Sequence, residues 1–157
     1  MSDKAIPVGH IPSGLFIVCT IDDAGNKDGF LASWVQQVSF DPLLVTMALK
    51  EGRVCHEHIV SGKPFSINIV GDDQASYLKH FWKGYSPGKD PFDQIPHDVS
   101  DLGTIKIKEA RSVIECKMVS KSKPGDHELI VAEVLGGCDL NENVKSKTYI
   151  RKSGLDY

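Results

Sequence analysis

Short runs rich in β-branched and aromatic residues recur along this chain, and clusters of turn-forming residues separate them. The first run, 14–21, ends at Asp22-Asp23-Ala24-Gly25-Asn26, and 29–32 is the expected return strand. The other runs that favour β-strands are 43–50, 65–70, 104–108, 112–120 and 128–135. This spacing predicts a mainly β fold, built as a β-barrel of six or seven strands.

Two short helices are expected at the ends of this barrel. Residues 53–61 stop before Gly62, which suits a helix C-terminus, and residues 72–83 begin with two aspartates that can cap a helix. The second helix places four apolar side chains on one face: Tyr77, Leu78, Phe81 and Trp82. Residues 84–96 contain three prolines and two glycines, so we expect a long loop there. Because no linker or repeat interrupts these elements, residues 1–157 are predicted to form a single domain.

Charge and composition argue against several classes of function. The 21 acidic and 18 basic residues give a net charge of −3 at pH 7, which argues against binding nucleic acid through a basic face. No apolar run reaches the roughly 18 residues that a membrane-spanning helix needs. The first residues lack the apolar core of a secretion signal, so we expect a cytoplasmic protein, or one sent to another compartment by a presequence.

Motifs for metal binding and for nucleophilic catalysis are missing. The cysteines at 19, 55, 116 and 138 form no C-x-x-C pair and are expected to be small buried residues. His56 and His58 lie two residues apart on a predicted helix and point about 200° apart, which disfavours a shared metal. Ser61-Gly62-Lys63-Pro64 lacks the upstream glycine and the Ser/Thr of a phosphate-binding P-loop. The chain also lacks G-x-G-x-x-G after the first strand and lacks G-x-S-x-G.

The segment Ser33-Trp34-Val35-Gln36-Gln37-Val38-Ser39 is unusual for a strand of a protein core. It places a tryptophan close to two adjacent amides, between two apolar runs. Either this segment faces water, or its hydrogen-bond donors and acceptors serve a bound molecule.

A second cluster carries positive charge. Lys50, Gly52 and Arg53 lie where a strand ends and a helix is predicted to begin. Unpaired N–H groups and two full charges would suit a phosphate, although an ordinary solvated turn has the same composition.

Two other clusters complete the candidate site. His127 follows Asp126 just before an apolar strand, so it is either a structural side chain or a polar group aimed at a bound ring. Phe81, Trp82 and Lys83 end the second helix, either as core aromatics with a terminal lysine or as part of the same site. A site that binds a phosphate, a flat polar ring and apolar ring edges fits flavin mononucleotide (FMN).

The order of these motifs resembles the flavin reductase-like domains that adopt the FMN-binding split barrel. The match runs through GFLASWVQQVSFDPLLV at 29–45, then Lys50 and Arg53, and then KPFSINI at 63–69. It continues in PGDH at 124–127 and in the tail YIRKSGLDY at 149–157. The similarity covers about 9–157, and the loop at 80–92 looks most like the flavin reductase domain of cyanobacterial diflavin flavoproteins.

The resemblance implies a role for each residue of the site. The flavin ring and ribityl chain would be lined by Ser33, Trp34, Val35, Gln36 and Gln37, and the pyrimidine edge would lie near Ser39. The phosphate would be held by Lys50, Gly52, Arg53 and Val54, and its side would be closed by Phe81, Trp82 and Lys83. The catalytic residue beside the ring would be His127. The chain departs from the family at position 33, where Asn is common, and at 36 and 37, where small hydroxyl residues are common.

The resemblance also implies a function. It favours an FMN-binding NAD(P)H:flavin oxidoreductase, in which NADH or NADPH passes hydride from nicotinamide C4 to flavin N5. Electrons would then leave to a second flavin, an iron complex or a redox partner protein. The alternatives are an FMN-carrying electron-transfer protein with little NAD(P)H activity of its own, and a barrel without flavin that acts as an interaction module. Members of the family usually form homodimers with the flavin near the interface.

Overall fold

The computed structural model describes residues 4–74, 77–83 and 88–157. The helices of these residues are α1 (Ala5–Gly9), α2 (His56–Val60) and α3 (Leu78–Lys83). The strands are β1 (Ser13–Gly14), β2 (Phe16–Ile21), β3 (Lys27–Ala32), β4 (Val35–Ser39), β5 (Leu44–Leu49), β6 (Phe65–Ile69), β7 (His97–Val99), β8 (Ile105–Ile107), β9 (Ser112–Ser122), β10 (Glu128–Asp139) and β11 (Thr148–Tyr149). Each predicted strand is present, and the sequence analysis missed α1, β1, β4, β7 and β11.

The barrel is one curled antiparallel sheet. Its seven strands follow the order β3-β2-β6-β9-β10-β5-β4. The two edge strands, β3 and β4, are consecutive in the chain, and only Ser33 and Trp34 join them. Because three Cα–Cα steps span at most about 11 Å, the sheet must curl until its two edges come close. The edges do not pair with each other, so the barrel stays open along a seam. This is the split barrel that the sequence predicts.

Alternate side chains of the strands fill the barrel. Val18 and Ile67 come from β2 and β6, Met47 and Ile130 come from β5 and β10, and none of them is more than 2% exposed. Burying such side chains contributes about 1.5–3 kcal/mol each, so this cluster supplies much of the driving force for closure.

A second apolar cluster lies on the outer face of β2 and holds α3 in place. Phe81 of α3 and Phe92 pack there with ring centroids 5.4 Å apart, beside Ile17 and Cys19. A Cβ atom at Gly29 of β3 would lie 2.8 Å from the Phe81 ring, so only glycine allows this close approach. The packing fixes α3 beside the end of β3, and therefore beside the seam.

Asn68 of β6 joins the barrel to β8. Its Nδ2 donates to the carbonyls of Ile17 and Ile105 at 3.3 and 3.1 Å, and its Oδ1 accepts from the Ile107 N–H at 2.8 Å. We expect Asn68→Ala to lower the free energy of unfolding by about 2–3 kcal/mol, because buried backbone groups lose their partner. Urea denaturation measures this, with Asn26→Ala at an exposed turn as the control. Equal losses for the two variants would contradict the prediction.

Both main helices are shorter than predicted. Residues 53–55 stay outside α2 because Gly52 and Cys55 have φ angles of 79° and 73°, which a right-handed helix does not accept. Asp72 and Asp73 belong to a turn rather than to a helix cap, and α3 begins only at Leu78. Residues 75–76 of the predicted helix and 84–87 of the predicted loop lie outside the described residues. Across the described ranges, no helix is long and apolar enough to cross a bilayer.

The cysteines are unpaired. Cys19, Cys55 and Cys116 are buried and Cys138 is exposed, so the expected burial is wrong for the last one. Burial raises the pKa of the Cys55 and Cys116 thiols to about 12, which keeps both protonated at neutral pH. Neither is therefore suited to act as a nucleophile.

Candidate functional site

A cavity of about 460 Å³ opens at the seam of the barrel. Its walls come from the end of β3, the two linking residues, the end of β5 with the turn after it, α3, and the C-terminal segment. Within the described part of the chain no acidic side chain lines it, whereas four basic ones do: Lys50, Arg53, Lys79 and Lys147. The cavity therefore favours an anionic ligand.

The structure brings one part of the predicted site together at this cavity. The predicted residues that line it are Ser33, Trp34, Lys50, Arg53, Phe81, Trp82 and His127. Phe81 is only 4% exposed and belongs mainly to the core, whereas Trp82 is 68% exposed. Phe81 is therefore a structural residue of the core, whereas the Trp82 side chain is available to a ligand.

The other predicted residues do not line the cavity. Gln36, Gln37 and Ser39 border a separate groove of about 350 Å³, and Gln37 Nε2 donates to the Ser39 carbonyl at 3.2 Å. The reason is the register of β4, which pairs Val35 with Met47 and Gln37 with Val45 and so runs away from the cavity. The predicted contacts of Gln36, Gln37 and Ser39 with a flavin stay predictions, and within this chain their side chains border a groove other than the seam cavity.

Three more predicted residues lie near the cavity without lining it. Val35 packs against the barrel core, and Gly52 and Val54 belong to the same turn as the two cations. The backbone of Lys83 ends α3, and its side chain lies outside the described residues.

Three rings form a cluster at one side of the cavity. The Trp34 ring centroid lies 5.0 Å from that of His127 and 5.8 Å from that of Tyr157. Arg151 stacks on Trp34 with its Cζ 5.1 Å from the ring centroid, and Arg53 stacks on Tyr157 at 5.3 Å. Such cation–π contacts orient both guanidinium groups and keep Trp34 in one position.

His127 has a partner at each ring nitrogen. Its Nδ1 lies 2.8 Å from Asp126 Oδ1, and its Nε2 lies 2.6 Å from the Tyr157 hydroxyl. A carboxylate only accepts, so Nδ1 carries the proton, and in the neutral ring Nε2 accepts from the Tyr157 O–H. The hydrogen bond from His127 holds the pKa of Asp126 below its ordinary value, which keeps this carboxylate ionised and the tautomer defined.

The turn after β5 presents the first pair of cations. The Arg53 N–H donates to the Lys50 carbonyl at 3.3 Å, and the positive φ of Gly52 allows the reversal between them. Both side chains are exposed, and in the described part of the chain neither makes an ion pair. They are available to neutralise a phosphate.

Polar contacts around the buried Glu128 carboxylate fix the turn after β5 relative to His127. His56 Nε2 on α2 lies 2.8 Å from Glu128 Oε2 at the start of β10, and Lys121 Nζ lies 2.8 Å from Glu128 Oε1. The bonds from Lys121 and His56 hold the pKa of Glu128 below its usual range. His58 instead bonds the Pro64 carbonyl, so the two histidines serve separate structural partners.

The C-terminal segment is placed by α1. The Arg151 N–H donates to the Gly9 carbonyl at 3.0 Å, and the Gly154 N–H donates to the Ala5 carbonyl at 2.6 Å. A Cβ atom at Gly9 would lie 2.5 Å from the Ser153 backbone, so glycine is required for this approach. Helix α1 thus determines where Tyr157 meets the cavity.

Two lining residues, Lys79 and Lys147, escaped the sequence analysis. Tyr149 and Tyr157 also line the cavity and belong to the tail at 149–157, which the family resemblance expects to contact either a partner subunit or the site. Residues 147 and 149 are two positions apart at the start of β11, and side chains two apart in an extended chain point to the same side. The sequence could therefore have placed these two side chains on one face. No local sequence pattern predicts that either residue lies close to α3.

Comparison with known proteins identifies the family of this chain. The family model described as the flavin reductase like domain matches residues 8–154. Diflavin flavoprotein A 1 of Synechocystis sp. is 30% identical over 157 residues, which cover 99% of this chain and 27% of that protein. The chain thus spans about a quarter of this relative's length.

Solved structures share the fold. The NADH:FAD oxidoreductase SgcE6 of Streptomyces globisporus superposes with a TM-score of 0.84 at 22% identity, over 92% of this chain and 85% of that one. The flavin reductase PheA2 gives 0.80 at 23% identity, over 97% and 95%. Since the family model covers nearly the whole chain, the protein belongs to the flavin reductase like domain family.

Proposed function

We propose that this chain binds FMN in the seam cavity and reduces it with NADH or NADPH. The observation that carries the proposal is the joining, in one cavity, of an unpaired cation pair at Lys50 and Arg53 with the ring cluster of Trp34 and His127. When bound, the flavin would supply the chemistry by accepting hydride at N5 from nicotinamide C4.

The residues present suit such a cofactor. Lys50 and Arg53 would take the phosphate, because neither makes a salt bridge with another described residue. Trp34 would cover apolar ring surface, and the Ser33 hydroxyl can donate to a carbonyl of the ring edge. The apolar wall formed by Phe30 and Leu31 would exclude water from the other ring edge.

His127 would serve this reaction through its fixed tautomer. Asp126 holds the proton on Nδ1, so Nε2 of the neutral ring is an acceptor, which takes the Tyr157 O–H and would be open to a donor of the bound ring once that hydroxyl moves. An acceptor fixed in this way would orient the bound ring for the hydride transfer.

The alternative, an FMN-carrying electron-transfer protein with little NAD(P)H activity, is favoured by one observation. Tyr157 lines the cavity and engages the ring nitrogen of His127 that Asp126 leaves available. A side chain in this place competes with a stacking nicotinamide for space.

The visible spectrum of the purified protein after FMN addition separates these functions. A bound flavin that bleaches within seconds of anaerobic addition of NADH or NADPH supports the reductase. A bound flavin that stays oxidised with both nucleotides supports the electron carrier. No uptake of flavin contradicts both.

A homodimer is also proposed, through the exposed edge of β4 and the turn at 40–43 that follows it. Val38 and Leu43 are 53% and 45% exposed, and Phe40 is 90% exposed. Exposed apolar side chains along an unpaired strand edge favour association. We expect Phe40→Asp to shift the mass measured by sedimentation towards the monomer, whereas Val99→Asp, on the β7–β8 hairpin, leaves it unchanged.

A redox partner protein and a cytoplasmic location stay predictions from the sequence.

A further inference from the structure

The C-terminal segment is held in two different ways along its length. Backbone hydrogen bonds tie Arg151 and Gly154 to α1. Residues 155–157 continue beyond this anchor, and each of them is exposed. Side chains hold this last part: Arg151 Nη1 donates to the Asp156 carbonyl at 2.7 Å, and the Ser153 hydroxyl donates to Asp156 Oδ2 at 3.1 Å. A segment with so little buried surface can leave its position while its anchor stays in place.

Tyr157, at the end of this segment, contacts both kinds of group that the proposed ligand needs. Its hydroxyl lies 2.6 Å from His127 Nε2, and the Arg53 Cζ lies 5.3 Å from its ring centroid. Its ring also packs against Trp34 at a centroid distance of 5.8 Å. All four residues line the cavity. One side chain therefore engages the cation expected to hold a phosphate and the imidazole expected to lie beside a ring.

The contacts of Tyr157 resemble those of a bound ligand more than those of a core residue. The residue is 51% exposed, whereas the His127 side chain that it covers is only 13% exposed. Asp126 occupies Nδ1 of His127, so the Tyr157 O–H fills the acceptor that remains on the neutral imidazole. A planar polar molecule can supply the same hydrogen bond and the same aromatic contacts, and can therefore replace this side chain.

We propose that residues 155–157 form a lid on the seam cavity, and that Tyr157 is an internal ligand which an entering ring displaces. When the lid opens, His127 Nε2 and the face of the Arg53 guanidinium become free for that ring compound. Because the ring compound binds only the open state, the closed lid lowers its apparent affinity in proportion to the open fraction. The inference deepens the proposed function, since it rests on a planar ring ligand that enters this cavity.

The closed lid can be tested without any flavin. Diethyl pyrocarbonate acylates the unprotonated nitrogen of a neutral imidazole, which in His127 is the nitrogen that Tyr157 engages. We expect Tyr157→Ala to raise the acylation rate of His127 about tenfold, and Tyr157→Phe, which loses only the hydroxyl, to raise it about threefold. Mass spectrometry of the peptides measures the rate at each of the six histidines, and the exposed His10 should react equally in all variants.

Affinities then identify the ligand that the lid excludes. Loss of the hydrogen bond and loss of the cation–π contact each favour the open state about threefold, so Tyr157→Ala should bind the displacing ligand about tenfold more tightly. A tenfold lower Kd for FMN identifies the flavin. An unchanged Kd for FMN with tenfold lower KM values for NADH or NADPH identifies the electron donor. Both outcomes support the lid.

Leu155→Ala is the matched control for these measurements. Leu155 belongs to the same segment and is 70% exposed, but it does not line the cavity. Its replacement should leave the acylation rate of His127, the Kd for FMN and the KM values within about twofold of the wild type, because the contacts of Tyr157 stay in place.

Two results would overturn the inference. One is acylation of His127 at the same rate in the wild type and in Tyr157→Ala. The other is a Tyr157→Ala variant in which neither FMN nor a nicotinamide nucleotide binds more tightly, since Tyr157 would then be a fixed wall or part of the binding site. A protein whose His127 is unmasked by Tyr157→Ala but which takes up no flavin would contradict the proposed function and still support the closed lid.

Discussion

Replacing both Lys50 and Arg53 with alanine is expected to raise the Kd for FMN about 100-fold. Each cation can make a charge-assisted hydrogen bond to the phosphate, and at this exposed turn such a bond contributes about 1.4 kcal/mol, or tenfold in affinity. Riboflavin, which lacks the phosphate, should bind both proteins equally. Flavin fluorescence titration measures all four constants.

The salt dependence and a control variant make this result specific. Affinity of the wild type for FMN should fall as KCl rises, because the charges are exposed and screened, and the double variant should lose that dependence. Lys63→Ala is the control, since Lys63 is ion-paired to Asp23 at 2.6 Å and does not line the cavity. A double variant that binds FMN within threefold of the wild type would show that the phosphate is held elsewhere.

The strands could be predicted because each is a local pattern. Runs such as 14–21 and 65–70 combine β-favouring residues with clear turn signals at their ends, and they became β2 and β6. The helices were harder, because the backbone at Gly52 and Cys55 overrides the helical pattern of the residues that follow. The mainly β split barrel was predictable as a whole only through the family motifs, since strand order is a non-local property.

The residues of the candidate site were also predictable only where the signal was local. Lys50 and Arg53 could be predicted because they share one turn, and His127 because its motif is continuous. Gln36 and Gln37 carried the right chemistry, but the pairing of β4 with β5 places them beside another groove. Tyr157 reaches His127 only because α1 and the C-terminal segment pack together, and no local pattern encodes that contact.

Replacing His127 with alanine is expected to slow anaerobic reduction of bound FMN by NADH or NADPH about 100-fold. A positioned acid or base contributes roughly this factor or more to such a step. FMN affinity should change less than about threefold, since the phosphate contacts stay in place. Stopped-flow absorbance at saturating nucleotide measures the rate.

Tyr157→Phe separates the chemistry of His127 from its packing. This variant keeps the ring beside Trp34 and Arg53 but removes the hydroxyl that engages Nε2 of His127. If the imidazole acts on the bound ring, freeing Nε2 should leave the reduction rate unchanged or raise it. If Tyr157→Phe slows reduction as much as His127→Ala does, the tyrosine hydroxyl is the acting group and His127 only holds it in place.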